Sequence, residues 1–329
     1  MDIKMTIQDN NTGKLHDISN LVGNININWQ LAGQPGKLTF DFVRTPDNTA
    51  FFYEGSVVTL QSANQDVFYG YVFSKVRNKE QIITVTAYDQ MRYLKNQDTN
   101  QFNEKTSSEI FQAVCSKFNL KYSVIDASSY KLPKVVYDNK NLYAMIADAL
   151  DKTLIAQKVR YIVRDNYGTL EHVNIDTLKT NLTVGDKTML LNYEYESSVD
   201  SGVYNQVYLI KEDSNSGKRK EYQAKDDKSI NKWGILQYHN IITDEANDAQ
   251  MQQMANNRLF VSNALRRMLA IDCIGDFRVR EGSGITIAIK GLGDINLDQM
   301  CAVHRCNHSI RNGIHTMRLE VEPLWQAKS

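Results

Sequence analysis

Five residues near the C-terminal end have side chains that could form a site: Cys301, His304, Cys306, His308 and His315. Sulfur and imidazole ligands suit zinc or iron. In an extended strand His304, Cys306 and His308 project to one face. The Asn312-Gly313 pair is a two-residue hairpin turn, and it returns His315, Met317 and Leu319 to that face. The spacing differs from that of a structural zinc knuckle, whose ligands sit on tight turns. Ile310, Met317 and Leu319 make the face read as core. The expectation is therefore a core cysteine with interface or surface histidines, and no metal ligand is assigned among Cys301, His304, Cys306 and His308.

Other chemistry is sparse. There is no His-Glu-x-x-His helix and no Gly-x-Ser-x-Gly elbow. Gly291 and Gly293 lack the following Gly-Lys-Ser/Thr of a phosphate loop. Asp226 and Asp227 adjoin in a polar stretch, without the contrast of environments that splits a carboxylate pair into acid and base. No catalytic or cofactor-binding residue is assigned, no cofactor is expected, and the chain reads as a non-enzyme.

The elements that would position such groups are mostly strands. Ile25, Ile27 and Trp29 alternate with asparagines, and Leu38, Phe40 and Phe42 with Thr39 and Asp41, the period of a sheet with one wet face. Gln34-Pro35-Gly36 between them is turn chemistry. Further strands are expected at Val57–Leu60, Val67–Val76 and Ile82–Tyr88, enough for a small barrel or sandwich. The pattern then turns helical. Thr106 and Glu109 form a capping box ahead of Ile110, Val114 and Phe118. A second helix from about Leu142 to Ile155 carries the stripe Leu142, Met145, Ile146, Ala149, Leu150 and Thr153. Strands follow at Arg160–Arg164, Thr169–Val173, Leu190–Tyr195 and Tyr204–Ile210. Residues 211–221 read as a solvated tip. A long helix is expected from about Asp244 to Leu265, with Asp244 and Glu245 at its positive end and Arg266 and Arg267 at its negative end. Its buried stripe would be Met251, Met254, Ala255, Leu259 and Leu265. The last strands lie near Arg267–Ile274, Gly284–Lys290, Met300–Ile310 and Ile314–Pro323, with Arg305 facing Glu320 across the final hairpin.

Bulk properties bound the function. The chain has 329 residues, long enough for two to four packed units. Apolar residues are 42% and charged residues 23%, so real cores can form. Lys plus Arg equals Asp plus Glu at 38 each, which argues against a chain built to grip nucleic acid. The N-terminal MDIKMTIQDN lacks a signal-peptide pattern, and no run approaches the roughly 18 apolar residues of a membrane span. Cys115, Cys273, Cys301 and Cys306 are too scattered for a disulfide scaffold and fit a reducing cytosol.

An internal repeat stands out. Leu38-Thr-Phe-Asp41-Phe precedes Glu54-Gly55-Ser56 and a Val-Val-Thr-Leu strand; Leu269-Ala-Ile-Asp272-Cys precedes Glu281-Gly282-Ser283 and a Gly-Ile-Thr-Ile strand. The fold class that follows is a β-rich α+β chain with two related small β-barrel modules, an α+β domain between them and a helical insertion in the second barrel. The expected boundaries are 1–96 for the first module and 97–180 for the α+β domain. Residues 181–210 plus 266–325 form the second module, and 211–265 the inserted hairpin and helix. A trimer of such a chain would display six similar modules, matching three-fold to six-fold assemblies.

Thr86-Ala-Tyr-Asp-Gln-Met-Arg-Tyr-Leu-Lys95 resembles the segment that ends the first barrel in prophage tail proteins of the XkdQ/YqbQ type. Val67-Phe-Tyr-Gly-Tyr-Val72, Lys232-Trp-Gly-Ile-Leu-Gln-Tyr238 and Gly275-Asp276 ahead of Arg280-Glu-Gly-Ser283 support it. Such proteins are similar to the central baseplate hub of contractile-tail phages and phage-derived bacteriocins. The resemblance implies a structural homotrimer that links the hexameric tail tube ring to the trimeric central spike. It also implies contacts with other baseplate proteins, in a virion or tail-like particle assembled in the bacterial cytoplasm. It implies no specific nucleic acid and no membrane insertion. Phe51, Phe52, Tyr53 and Tyr71 are interface candidates. The alternatives are a tail-associated peptidoglycan hydrolase and the base of a secretion-system spike.

Overall fold

The alternating patterns of the first 90 residues fold as strands with one face buried. The computed structural model describes residues 2–31, 33–43, 52–63, 65–200, 202–212, 219–242, 246–292 and 295–323. The first module comprises β1 (Ile3–Gln8), β2 (Leu15–Asp17), β3 (Val22–Gln30), β4 (Lys37–Val43), β5 (Val57–Ser62), β6 (Gln65–Arg77) and β7 (Ile82–Tyr88). All its pairings are antiparallel, in the order β3-β4-β7-β6-β5-β1-β2. Met5, Ile7, Ile27, Leu38, Phe40, Phe42, Val58 and Leu60 are among the side chains that meet inside. Burying each of the larger ones contributes about 2–3 kcal/mol.

The helical patterns fold next. β8 (Gln97–Phe102) pairs β10 (Val135–Asn141), and β11 (Tyr161–Asp165) pairs β12 (Leu170–Asn174), which also pairs the short β9 (Tyr122–Val124). Over them lie α1 (Ser107–Lys117) and α2 (Leu142–Gln157). The Thr106–Glu109 capping box is formed, with both reciprocal hydrogen bonds in place. On α2 the buried residues are Leu142, Met145, Ile146, Ala149, Leu150 and Thr153, the six residues of the sequence stripe.

The second module comprises β13 (Lys179–Gly185), β14 (Leu190–Ser198), β18 (Arg266–Ile274), β19 (Gly284–Leu292), β20 (Ile295–Arg311) and β21 (Ile314–Pro323). Its pairings repeat those of the first. β14-β18-β21-β20-β19 runs as β3-β4-β7-β6-β5 does, and β13 occupies the place of β1, although parallel to its neighbour. Even the irregularities recur. β6 has a bulge between Val72 and Ser74, and β20 one between Val303 and Arg305. Asp41 accepts a hydrogen bond from Thr84 Oγ1 at 2.7 Å; its counterpart Asp272 accepts one from Arg318 Nη1 at 2.8 Å.

Between β14 and β18 lies an insertion with its own core. β15 (Gln206–Glu212) pairs β16 (Arg219–Lys225) and β17 (Gln237–Ile242), with α3 (Asp227–Trp233) and α4 (Asp248–Ser262) beside them. Val207, Leu209, Tyr222, Ala224, Met251 and Ala255 pack together there. Residues 206–210, expected in the second module, therefore pair in this separate sheet together with 211 and 212 of the expected insertion. The long helix is shorter than expected. Asn247 caps it through Gln250 N, and Arg266 and Arg267 belong to β18 rather than to its end. Asp244, Glu245, Gly293 and residues 213–218 lie outside the described residues.

Among the described residues neither β-module closes into a barrel, contrary to the sequence-based expectation. In the first module the outer edge of β3 is taken by a shared pairing. The outer half of the 17-residue β20 continues past its bulge and pairs antiparallel with β3, from Arg305↔Gln30 to Ile310↔Ile25. The two modules thus form one open 13-stranded sheet. No helix among the described residues is long and apolar enough to cross a membrane.

Candidate functional site

The repeated Glu-Gly-Ser step is one turn built twice. Tyr53 N donates to Ser56 Oγ and Arg280 N to Ser283 Oγ, each at 3.1 Å. Gly55 N donates to Val72 O at 2.7 Å and Gly282 N to Val303 O at 2.8 Å. Val72 N and Val303 N then donate back to Ser56 O and Ser283 O, both at 2.9 Å. Gly55 (φ +88°) and Gly282 (φ +82°) hold the left-handed backbone that glycine tolerates.

The second copy sits where three units meet. Leu31 of the first module, Ile162, Val173 and Ile175 of the α+β unit, and Ala302 of the second module share one small core. Arg305 reaches across the β20–β3 seam to Gln30 Oε1 with Nε at 3.1 Å and Nη2 at 2.9 Å, and its Nη1 donates to Glu320 at 2.6 Å. Leu31 N donates to His304 O at 2.9 Å. The Arg280 guanidinium lies 5.0 Å from the centre of the Trp29 ring.

Under this seam lies a buried charge cluster. Arg280 grips Glu281 with two hydrogen bonds, Nη2 to Oε1 at 2.8 Å and Nε to Oε2 at 3.2 Å, and also donates to the Asp165 carbonyl. Asp89 accepts from Gly36 N at 2.8 Å and from Met91 N at 3.0 Å. Gly36 is required there, because a Cβ would stand 2.3 Å from Asp89 Oδ2 and 2.7 Å from the Trp29 ring. Asp165 Oδ1 accepts from Gly168 N at 2.8 Å, while Oδ2 is buried without a partner among the described residues. Burial, followed by the charges of Asp165 and Glu281, pushes the Asp89 carboxyl well above its usual range. Burial pushes Asp165 up to about 6. Burial opposes the Arg280 charge, yet Glu281, Asp165 and Asp89 together hold it above its ordinary value. Arg164 and Glu171 form a second, largely buried pair at 3.2 Å beside it. This arrangement ties three units together; its carboxyls are buried against protein on every side.

The sequence-flagged histidines are close by. His308 Nε2 lies 2.9 Å from Cys306 Sγ and from Val279 O, and Nδ1 lies 2.8 Å from His315 Nε2. Burial drives His308 down to about 3, so it is neutral and its nitrogens are engaged. His315 stacks on Phe277 at 4.2 Å. Cys301 and His304 make none of these contacts: Cys301 Sγ approaches Gln299 O, and the bulge turns His304 out of the alternation. Among the described residues no group of three or more His, Cys, Asp or Glu side chains is placed to hold a metal. Asp226 caps α3 and accepts from Asn263, while Asp227 pairs with Lys225 at 3.0 Å. Phe51 lies outside the described residues, Phe52 packs on Phe42 in the core, and Tyr53 is exposed. Tyr71 is half-buried between Tyr69 and Tyr93. Sequence reasoning missed the Asp89–Asp165–Arg280–Glu281 cluster. The one linear signal for it was Arg280-Glu281 beside a turn that recurs.

Known proteins resemble this chain over nearly its whole length. The family model described as YQBQ-like matches residues 25–322. The phage-like element PBSX protein XkdQ of Bacillus subtilis strain 168 is 27% identical over 277 residues, which are 82% of this chain and 81% of that protein. The solved tail protein from Neisseria meningitidis MC58 shares the fold with a TM-score of 0.72 at 12% identity, over 98% and 97% of the two chains. The E. coli c3393 protein is described as a component of the type VI secretion system with structural similarity to T4 bacteriophage tail proteins gp27 and gp5. It matches with a TM-score of 0.56 at 8% identity, over 93% of this chain and 74% of that one. The chain belongs to the YQBQ-like family, as the Thr86–Lys95 segment implied.

Proposed function

We propose that this YQBQ-like protein is a structural hub subunit of a contractile, phage-type baseplate. In this reading it forms a homotrimer whose six β-modules make a pseudo-six-fold ring. The ring joins the hexameric tail tube to the trimeric central spike, within a virion or tail-like particle assembled in the cytoplasm. The observation that carries the reading is the duplication: two modules with one strand order, one bulge position and one turn, held in a single chain. A three-fold assembly of a two-fold repeat presents six near-equivalent docking surfaces. The buried cluster fits a structural role, because its carboxyls are buried inside the junction of the three units. The proposed work is binding, with no catalysis, no cofactor, no specific nucleic acid and no membrane insertion.

Mass photometry of the purified chain tests this directly. A particle of three chain masses that caps tube-protein rings in electron micrographs is expected. A strict monomer that ignores the tube overturns it. The base of a secretion-system spike is the second reading, favoured by the fold likeness to c3393. Selective binding to a secretion-system tube in place of a phage-type tube would decide for it. Clearing of peptidoglycan in a zymogram would overturn both readings in favour of a hydrolase.

A further inference from the structure

The seam between β20 and β3 uses one strand from each module, and each module keeps the counterpart strand unused. β20 beyond its bulge is flanked by β21 on one side and β3 on the other. The equivalent stretch of β6, Ser74–Arg77, is flanked by β7 alone among the described residues. β3 pairs with β4 and with β20. Its equivalent β14 pairs with β18 alone among the described residues. One open edge of each kind therefore remains, on different modules.

We propose that Ser74–Arg77 of β6 pairs antiparallel with β14 of a second copy of this chain, in the register that β20 and β3 use within the chain. The proposal deepens the hub reading and rests on it for the closure of the ring. Register follows from the ladders. Val72 faces Ala87 as Val303 faces Val321. Ala87 faces Leu38 as Val321 faces Leu269. Leu38 faces Ile27 as Leu269 faces Tyr195. Arg305 thus corresponds to Ser74 and His308 to Arg77, while Gln30 corresponds to Ser198 and Ile27 to Tyr195. The intrachain pairs Arg305↔Gln30, Cys306↔Trp29, Asn307↔Asn28 and His308↔Ile27 become Ser74↔Ser198, Lys75↔Ser197, Val76↔Glu196 and Arg77↔Tyr195 between copies.

Both edges have the surface of an uncovered interface. Val76 is 66% exposed, and on β14 Leu191 is 61% and Tyr193 39% exposed. Exposed apolar strand edges invite pairing and are normally blunted or covered. Here they are covered if another copy adds its strand. The edges also carry opposite charge, Arg77 on β6 and Glu196 on β14, which draws unlike edges together over distance, while the two side chains lie on opposite faces of the ladder and do not pair. The contact is head-to-tail, so it closes a ring when the rotation fits and grows a filament when it does not.

The test mixes two single-cysteine variants of the full chain, Val76→Cys and Glu196→Cys, under mild oxidation. The native cysteines are buried, with Cys115, Cys273 and Cys301 pushed up to about 12 by burial, so they stay unreactive. Directly opposed residues stand close enough to bridge. The expected result is a mixed disulfide band of twice the chain mass, which neither variant forms alone and which Val76→Cys with Tyr195→Cys fails to give. A trimeric particle without the Val76–Glu196 crosslink overturns the pairing and leaves the hub reading standing. Crosslinks within dimers or open filaments support the pairing and overturn the trimeric hub. A strict monomer overturns both.

Discussion

The two Glu-Gly-Ser turns share every backbone hydrogen bond, yet their glutamates live in different worlds. Glu54 is exposed and lies 3.7 Å from Lys75. Glu281 is 5% exposed and locked onto Arg280 at 2.8 Å. Local sequence therefore sets the turn, because Gly supplies the backbone angle and Ser the returning hydroxyl. Neighbouring units decide what the carboxylate does. In the second copy the α+β unit and the first module close over it, so a solvated ion becomes a clamp.

Four substitutions probe this contrast. Glu281→Ala leaves Arg280 buried without its bidentate partner and should cost about 3–5 kcal/mol in urea unfolding. A cost like that of a surface pair would show that the clamp is dispensable. Gly282→Ala combines a strained φ with a Cβ 2.6 Å from the buried Ile162 Cδ1, for a loss of about 2–3 kcal/mol. Gly55→Ala meets only the end of Asn10, 2.8 Å away on the surface, and should cost about 1 kcal/mol. Equal losses at the two glycines would erase the contrast. Glu54→Gln, at the exposed turn, should shift stability by less than about 0.5 kcal/mol.

Acidity offers a separate probe. The folded-state pKa of Asp165 is raised from 3.8 to about 6, so the folded state binds a proton that the unfolded chain has released. The stabilisation is fully present below pH 3.8 and fades as pH rises through about 6. Asp165→Asn should remove that slope, read from urea midpoints across this window. An unchanged slope would assign the pH dependence to Asp89 or elsewhere.

Much of the architecture was legible in the residues. The α2 stripe, the Asn312-Gly313 turn and the Arg305–Glu320 pair are local patterns, and they appear where their periods place them. What escaped was non-local. A run such as 204–210 announces a strand but not its sheet, and from Gln206 on it joined the insertion. Arg266 and Arg267 suited a helix end by charge, yet strand pairing with β14 claimed them. Period-2 reasoning put His304 on the face of Cys306, but the bulge before Arg305 broke the alternation. Asp89 and Asp165 lie far apart in sequence and carry no shared linear signal; only the meeting of three units buries them together.

The long strand β20 has a mechanical consequence. At about 3.3 Å per residue, its 17 residues form a beam of about 55 Å that begins in one module and ends paired to the other. A force entering either module runs along this beam and loads the seam in shear, so its hydrogen bonds must yield together instead of unzipping one by one. The two modules are thus coupled through six directly opposed residue pairs of one ladder.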